Sequence, residues 1–245
     1  MQTDPKHVVL VTGATSAIGA AVSRLYAAAG WELILWYRSR PEEAEALAVE
    51  LRQAGAACAS ERVDFADARS VEQAVQALRG RRVDALVNNA GGYAAQKRFS
   101  ELSHAEIMDS LAVNFTAPFL LASALFEGMA ARGFGRIVNI SSVAAKYGGS
   151  AQSMQYGCAK RALEGITRTL AREGAAKNVL VNTVRPGVID TGFHRRLGRD
   201  MEARIGLIPM RRMGTAAEVA ELVHSLGSAR NTYITGQTVA VSGGE

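Results

Sequence analysis

Cysteine is scarce in this chain: Cys58 and Cys158 are the only two in 245 residues, far apart and outside any C-x-x-C pattern. Neither a disulfide framework nor a zinc site is expected, and a reducing cytoplasm suits the chain. Proline occurs five times and aromatic residues make up 6%, which excludes collagen-like and proline-rich segments and leaves no aromatic platform for single-stranded nucleic acid. No basic arm is present either: the 28 Lys and Arg are scattered, mostly as single Arg, against 23 Asp and Glu. The resulting +5 favours acidic partners but does not point to nucleic acid. No uninterrupted apolar run reaches the roughly 18 residues that span a bilayer, and Met1-Gln2-Thr3-Asp4-Pro5 lacks the pattern of a secretory leader. Neither membrane insertion nor secretion is therefore expected. His7, His104, His194 and His224 show no metal-ligand spacing; they are expected at the surface or at helix ends, and no metal is expected.

What the chain does have is material for a core, with 48% hydrophobic residues, and a length that α/β folds accommodate as one domain, here residues 1–245. Short β-branched runs alternate with longer helical patterns. The expected strands are His7–Thr12, Glu32–Tyr37, Ala57–Asp64, Val83–Asn88, Arg136–Ser141, Val179–Arg185 and Thr238–Ser242. Segments such as Val8-Val9-Leu10-Val11 are nearly continuous in apolar residues, as in strands buried on both faces. The alternation predicts an α/β doubly wound domain with a seven-stranded parallel sheet flanked by helices on both faces. Capping patterns mark helix starts at Ser70-Val-Glu-Gln73, Ser103-His-Ala-Glu106 and Thr215-Ala-Ala-Glu218, and Pro41-Glu42-Glu43 marks another. No repeat or linker interrupts the pattern. Gly192 to Met213, rich in Arg and Met, is expected to act as a substrate lid.

Directly after the first strand, Thr12-Gly13-Ala14-Thr15-Ser16-Ala17-Ile18-Gly19 opens a helix expected to run to Gly30. Glycines here permit a tight turn, and free amides at a helix start can hold a pyrophosphate. Tyr156 and Lys160 fall one turn apart on a helical segment, so an ammonium beside the phenol would lower its pKa from about 10. Spacing alone describes an ordinary surface pair equally well. Ser141-Ser142, Asp64, Asn88-Asn89-Ala90-Gly91 and Arg185-Pro186-Gly187 each follow a predicted strand. Any one of them would serve as a cap or turn, but together they crowd the carboxyl edge of the sheet, where ligands of open α/β sheets bind.

These motifs, in this order, resemble the short-chain dehydrogenase/reductase family over essentially the whole chain: Thr12-Gly13-x-x-x-Ala17-Ile18-Gly19, Asn88-Asn89-Ala90-Gly91, Asn114, Ser142, Tyr156-x-x-x-Lys160, Pro186-Gly187-x-Ile189-x-Thr191, and the ending Ile234-Thr235-Gly236-Gln237-Thr238 with Gly243-Gly244. The resemblance implies a Rossmann-type fold and hydride transfer between a nicotinamide cofactor and a carbonyl or alcohol. It implies that Tyr156 protonates the nascent alkoxide, Ser142 bonds the substrate carbonyl, Lys160 binds the nicotinamide ribose and lowers the Tyr156 pKa, and Asn114 anchors a water that relays protons from Lys160. The implied cofactor contacts are Gly13, Thr15, Ser16, Ile18, Gly19, Arg38, Ser39, Asp64, Phe65, Asn89, Ala90, Gly91, Tyr156, Lys160, Pro186, Gly187, Ile189 and Thr191. Ala17 departs from the family, which has glycine there, and adds a methyl where backbone and pyrophosphate approach.

The second predicted strand ends Trp36-Tyr37-Arg38-Ser39-Arg40, with no acid to receive the adenosine ribose hydroxyls of NAD. Arg38, helped by Ser39 or Arg40, suits a 2′-phosphate, so NADPH/NADP is expected over NADH; Arg40 also reads simply as part of an exposed basic turn before Pro41. Within the family the chain looks most like 3-oxoacyl-acyl-carrier-protein reductases, which implies a carrier-bound acyl substrate and a place in fatty acid biosynthesis. An acidic carrier protein would be met by basic residues, for which Arg132, Arg172 and Lys177 are candidates, although lone basic residues on helices are more often simply solvated. A small-molecule ketone, alcohol or sugar is the alternative substrate, and a cofactor-binding protein without catalysis is a third reading. Pocket shape is expected to depend on Gly92 to Phe99, Ala144 to Gln155 and Gly192 to Met213. The helical segments containing Asn114 and Tyr156 are Ala- and Leu-rich, as in Leu120 to Phe126; the resemblance implies that these helices pair subunits into a homo-tetramer (or dimer), although packing against the sheet would give the same pattern.

Overall fold

Burial on both faces explains why the apolar runs become strands. The structure, a computed structural model, describes residues 6–93, 95–191 and 200–245. Strands β1 (Val8–Thr12), β2 (Glu32–Tyr37), β3 (Cys58–Arg62), β4 (Ala85–Asn88), β5 (Gly135–Ile140), β6 (Val179–Pro186) and β7 (Thr238–Val241) form one parallel sheet in the order β3-β2-β1-β4-β5-β6-β7. The helices are α1 (Ala17–Ala28), α2 (Pro41–Gln53), α3 (Ala68–Leu78), α4 (His104–Leu111), α5 (Ala117–Ala131), α6 (Val143–Tyr147), α7 (Met154–Gly174), α8 (Met201–Gly206) and α9 (Ala216–Gly227).

Side chains alternate across the sheet as strand geometry requires. Val9, Val11, Leu33, Leu35, Val87 and Val138 face α1, α2 and α9, with Val22, Tyr26, Leu47, Val219 and Val223 packed on them. Leu10, Ile34, Leu86, Ile137 and Val181 face the other way, onto Leu78, Leu121, Leu125, Phe126 and Met129 of α3 and α5. The expected doubly wound α/β architecture is what forms.

Several boundaries move for identifiable reasons. Val83 and Asp84 stay outside β4: Val8 N–H donates to the Asp84 carboxylate at 3.0 Å, and the Asp84 amide to the Val8 carbonyl at 2.8 Å. Arg62 ends β3, and beyond it the Asp64 amide turns to the Ser70 hydroxyl at 3.0 Å. Ser70 is thereby spent and does not cap a helix. Asp67 caps α3 instead, accepting from Arg69 N–H at 3.0 Å. The expected capping boxes at Ser103 and Thr215 are both present, and Pro41 opens α2. Helix α1 stops at Ala28, short of Gly30, whose φ of +79° ends the helical path.

Between α4 and α5 the chain keeps turning through a widened π segment, Ala112–Thr116. Asn114 Nδ2 takes the Ser110 carbonyl at 2.9 Å, and Pro118 has no N–H to give the Asn114 carbonyl, so the regular ladder breaks there. The continuous helix His104–Ala131 is apolar enough by length and composition to cross a membrane. One side of it is core, through Leu121, Leu125 and Met129, while Met108, Phe119 and Leu120 are exposed.

The histidines depart from expectation in burial. His224 lies at a helix end but is only 7% exposed, edge-on to the Tyr26 ring at 5.0 Å. Half-buried His7 is stacked between Trp31 and Phe134, with ring centres at 4.8 and 4.4 Å. His104 begins α4 at the surface, and His194 lies outside the described residues.

Candidate active site

The carboxyl ends of the strands open onto a cleft of about 1340 Å³, larger than the roughly 300–1,000 Å³ of small-ligand sites. It spans the point where strand order reverses between β1 and β4, the place where such sheets take ligands.

The turn after β1 is built by hydrogen bonds. Thr12 Oγ1 accepts from the amides of Asn89 and Ala90 at 3.0 and 2.9 Å, and Asn89 Nδ2 donates to the carbonyls of Thr12 and Gly13 at 2.8 and 3.0 Å. Gly13 adopts φ +64°, and a Cβ there would stand 2.9 Å from the Ala90 Cα. At Gly19 a Cβ would meet the Gly13 carbonyl oxygen at 2.4 Å, so only glycine lets α1 close onto the turn. Ser16 caps the helix by accepting from Gly19 N–H at 3.0 Å, which leaves the first-turn amides of Ala17 and Ile18 facing the cleft as an anion seat. Ala17 itself is exposed and lines the cleft.

Thr15, Ser16, Ile18, Arg38, Ser39, Asp64, Phe65, Asn89, Ala90 and Gly91 all line the same cavity. Gly19 is tucked behind it. Arg40 is engaged with Glu43 at 2.7 Å, whereas the exposed Arg38 has no ion-pair partner among the described residues. Arg62, which the sequence did not single out, lies alongside: its Nε donates to the Arg38 carbonyl at 3.0 Å.

On the other side, Ser142 caps α6 by accepting from Ala144 N–H at 3.1 Å. Tyr156 and Lys160 project from successive turns of α7 into the cleft, the Lys160 Nζ 5.8 Å from the phenol ring centre. Lys160 is buried and donates to the Ile140 carbonyl at 2.8 Å, and burial pulls its ammonium down to about 8. Asn114 lies just behind the wall, clamping Gly92 with bonds of 3.0 and 2.9 Å. A Cβ on Gly91 would meet Lys160 Nζ at 2.7 Å and Asn114 Oδ1 at 2.8 Å, so both groups press on one glycine. Pro186, Gly187, Ile189 and Thr191 complete the wall below. Gly187 is held by donation to Val241 at 2.9 Å.

Other lining residues were not individually legible. Tyr93 packs against Tyr156 with ring centres 4.4 Å apart and planes tilted by 43°, and Tyr147, Gln152, Arg204, Leu207 and Glu245 line the same cleft. The expected wall segments supply most of these. Within the expected lid, 192–199 lies outside the described residues; Ala203, Arg204 and Leu207 line the cleft, and Arg204 pairs with Glu245.

Three comparisons bear on this site. The family model for short chain dehydrogenases matches residues 7–202. Nodulation protein G of Rhizobium sp. (strain N33) is 38% identical over 96% of this chain and 95% of its own. The 3-oxoacyl-[acyl-carrier-protein] reductase FabG of Escherichia coli (strain K12) is 36% identical over 97% of this chain and 96% of its own. A solved structure, described as a putative NAD(P)-dependent gluconate 5-dehydrogenase from Beutenbergia cavernae with bound NADP, superposes with a TM-score of 0.90 at 33% identity, covering 99% of this chain and 97% of that one. Motifs, fold and relatives agree: the chain belongs to the short-chain dehydrogenase family and is an oxidoreductase of alcohol and carbonyl groups.

Proposed function

We propose that this protein is an NADPH-dependent ketoreductase of the 3-oxoacyl thioester type, built as one catalytic domain. The observation that carries the reading is the convergence of Ser142, Tyr156 and Lys160 in one cleft at whose opposite side the end of β2 presents exposed Arg38 in place of an acid. NADP(H) is the cofactor this cleft fits, as the Gly13–Gly19 cradle, the α1 amides and Arg38 are the groups a phosphorylated dinucleotide needs. When bound, it supplies hydride to the carbonyl carbon.

The chain's own residues do the rest. Ser142 and Tyr156 donate to the carbonyl oxygen as negative charge develops on it, and Tyr156 delivers the proton. Lys160 holds positive charge beneath the phenol, which favours its ionised form and eases proton release. Asn114, across Gly91 from Lys160, fixes the route by which that lysine exchanges protons with water.

Similarity to the acyl-carrier-protein reductase supports an acyl thioester as substrate and an acidic carrier protein as partner. Of the basic residues considered for docking, Arg132 is committed to the Val83 carbonyl at 2.7 Å and to Asp84 at 3.4 Å, and Lys177 faces Glu173 at 3.9 Å, which leaves Arg172 as the first docking candidate. The exposed Met108, Phe119 and Leu120 on the helix run 104–131 support pairing of subunits through that face, in a dimer or tetramer. Cys58 and Cys158 are free thiols, which suits the cytoplasm.

The test is a panel of carbonyl compounds with NADPH and NADH in parallel. NADPH oxidation with 3-oxoacyl thioesters, abolished by Tyr156→Phe, is the expected result. Turnover confined to free ketones or sugar acids would replace the substrate, a second reading favoured by the gluconate 5-dehydrogenase likeness. NADPH binding without turnover of any carbonyl would overturn catalysis itself.

A further inference from the structure

One buried ion pair lies immediately beneath the catalytic turn of α7. Glu164, one turn beyond Lys160, is 7% exposed, and its carboxylate receives both Nε and Nη2 of Arg185 at 2.9 and 2.7 Å. The Ser141 hydroxyl donates to the same carboxylate at 2.7 Å. Arg161, largely exposed, touches it at 3.3 Å. Glu164 thus joins three elements: α7, the residue that follows β5, and the end of β6.

The position of Ser141 gives the pair its consequence. Its amide is bonded to the Val184 carbonyl at 2.8 Å, and the next residue is Ser142. Its neighbour Ile140 receives the Lys160 ammonium at 2.8 Å. The end of β5 is therefore tied to α7 by one bond from Lys160 and a second, one turn on, to Glu164. Asn139 makes a further tie to Thr167 of α7 at 3.0 Å, farther back along the strand; the bonds of Lys160 and Glu164 are the ones nearest Ser142, and together they set the rotation of the strand end against the helix.

Simple space-filling does not account for the arrangement. Burying an ion pair carries a desolvation cost, and well-packed apolar side chains of similar volume are often neutral or stabilising in its place. Further from the cleft, the same face of the sheet is apolar, through Ile137 and Val181. We propose that Glu164 and Arg185 are positioning residues for the reaction, locking the end of β5, and with it Ser142, in register with the Tyr156–Lys160 turn. This rests on the catalytic roles assigned above to Ser142, Tyr156 and Lys160.

The test replaces the pair by apolar groups, Glu164→Leu with Arg185→Met, and uses the best carbonyl substrate of the panel. Thermal unfolding within a few degrees of the parent, NADPH affinity within about twofold, and kcat reduced about tenfold at little-changed KM is the expected outcome, since small misplacements of reacting groups act on turnover. A folded double variant with parental kcat overturns the proposal. Ser141→Ala removes one tie and leaves the ion pair; kcat is expected to fall about threefold with little change in melting, and parental kcat there also overturns it. Tyr156→Phe runs alongside. If it alone loses activity, the positioning role fails while the site stands; if it keeps activity, the reading of the site fails first.

Discussion

The two faces of the sheet solve the same packing problem with different chemistry. Toward α1, α2 and α9 the strands are mainly apolar, closed at the amino edge by Tyr26, Trp31 and Phe134; Arg136 and Asn182 are the buried polar exceptions, and they bond to the backbone carbonyls of Asn231 and Ile234 rather than to a helix side chain. Toward α5 and α7 they begin apolar and turn polar as they approach the cleft: Leu86 gives way to Asn88 on β4, Ile137 to Asn139 on β5, and Val181 to Thr183 on β6. Register sets the last three side by side. Asn88 donates to Asn139 at 2.9 Å, Asn139 to Thr167 of α7 at 3.0 Å, and Thr167 meets Thr183 at 2.7 Å. The first face holds the sheet by area removed from water, which is non-directional. The second holds α7 by bonds that demand particular distances, on the side that carries Tyr156 and Lys160.

The contrast breaks most sharply at the turn of α7 proposed to be catalytic. Tyr156→Phe is expected to lower turnover about a thousandfold, within the range of a lost general acid, while melting and NADPH affinity stay near parental; calorimetry and steady-state kinetics on one preparation check both. On the opposite face, Leu35→Ala is expected to cost about 2–5 kcal/mol of stability and to leave kcat of the folded fraction unchanged, as measured by urea unfolding beside assays at low temperature. A kcat change as large as that of Tyr156→Phe would abolish the distinction between the faces.

Asn139→Ala lies between the two. Losing its bonds leaves Asn88 and Thr167 short of partners and is expected to cost about 1–3 kcal/mol, with a several-fold fall in kcat; loss of stability alone would reduce the polar row to scaffolding. Lys160 sharpens the same side through pH. Burial lowers it to about 8, so turnover that depends on its charge is expected to fall as pH rises through that value, and Lys160→Arg is expected to remove that limb of the profile.

The smallest effect belongs to His224 on the apolar face. Burial, aided by Arg230, lowers its pKa from the ordinary 6.5. The unfolded chain then binds the proton more readily, so stability is full above about 6.5 and declines as pH falls below it. His224→Leu is expected to flatten that slope in chemical denaturation at pH 5 and 7 without touching the cleft.

Legibility in the sequence follows the same division. Strands buried on both faces write themselves as apolar runs, and β2 is found residue for residue. The glycine turn, Tyr156 and Lys160 are local patterns and stand in the cleft as expected. Capping was less secure, because Ser70 and Asp67 both compete for the start of α3 and the pull of the Asp64 amide decides between them. The polar row was not legible: Asn139 and Thr183 look like interruptions of apolar strands until register aligns them. Nor was Glu164, which reads as one more helical acid until Ser141 and Arg185 close on it from two other elements.

By itself, the sequence determined the alternation of strands and helices, the glycine turn, the ordered motifs of the family, and the absence of an acid after β2, since each is a matter of residue type over a few neighbouring positions. The tertiary structure alone decided which side chains share the cleft, that Arg40 and Arg132 are occupied while Arg38 is exposed, and that Glu164 meets Arg185. Those outcomes depend on strand order and register, which bring together residues far apart along the chain.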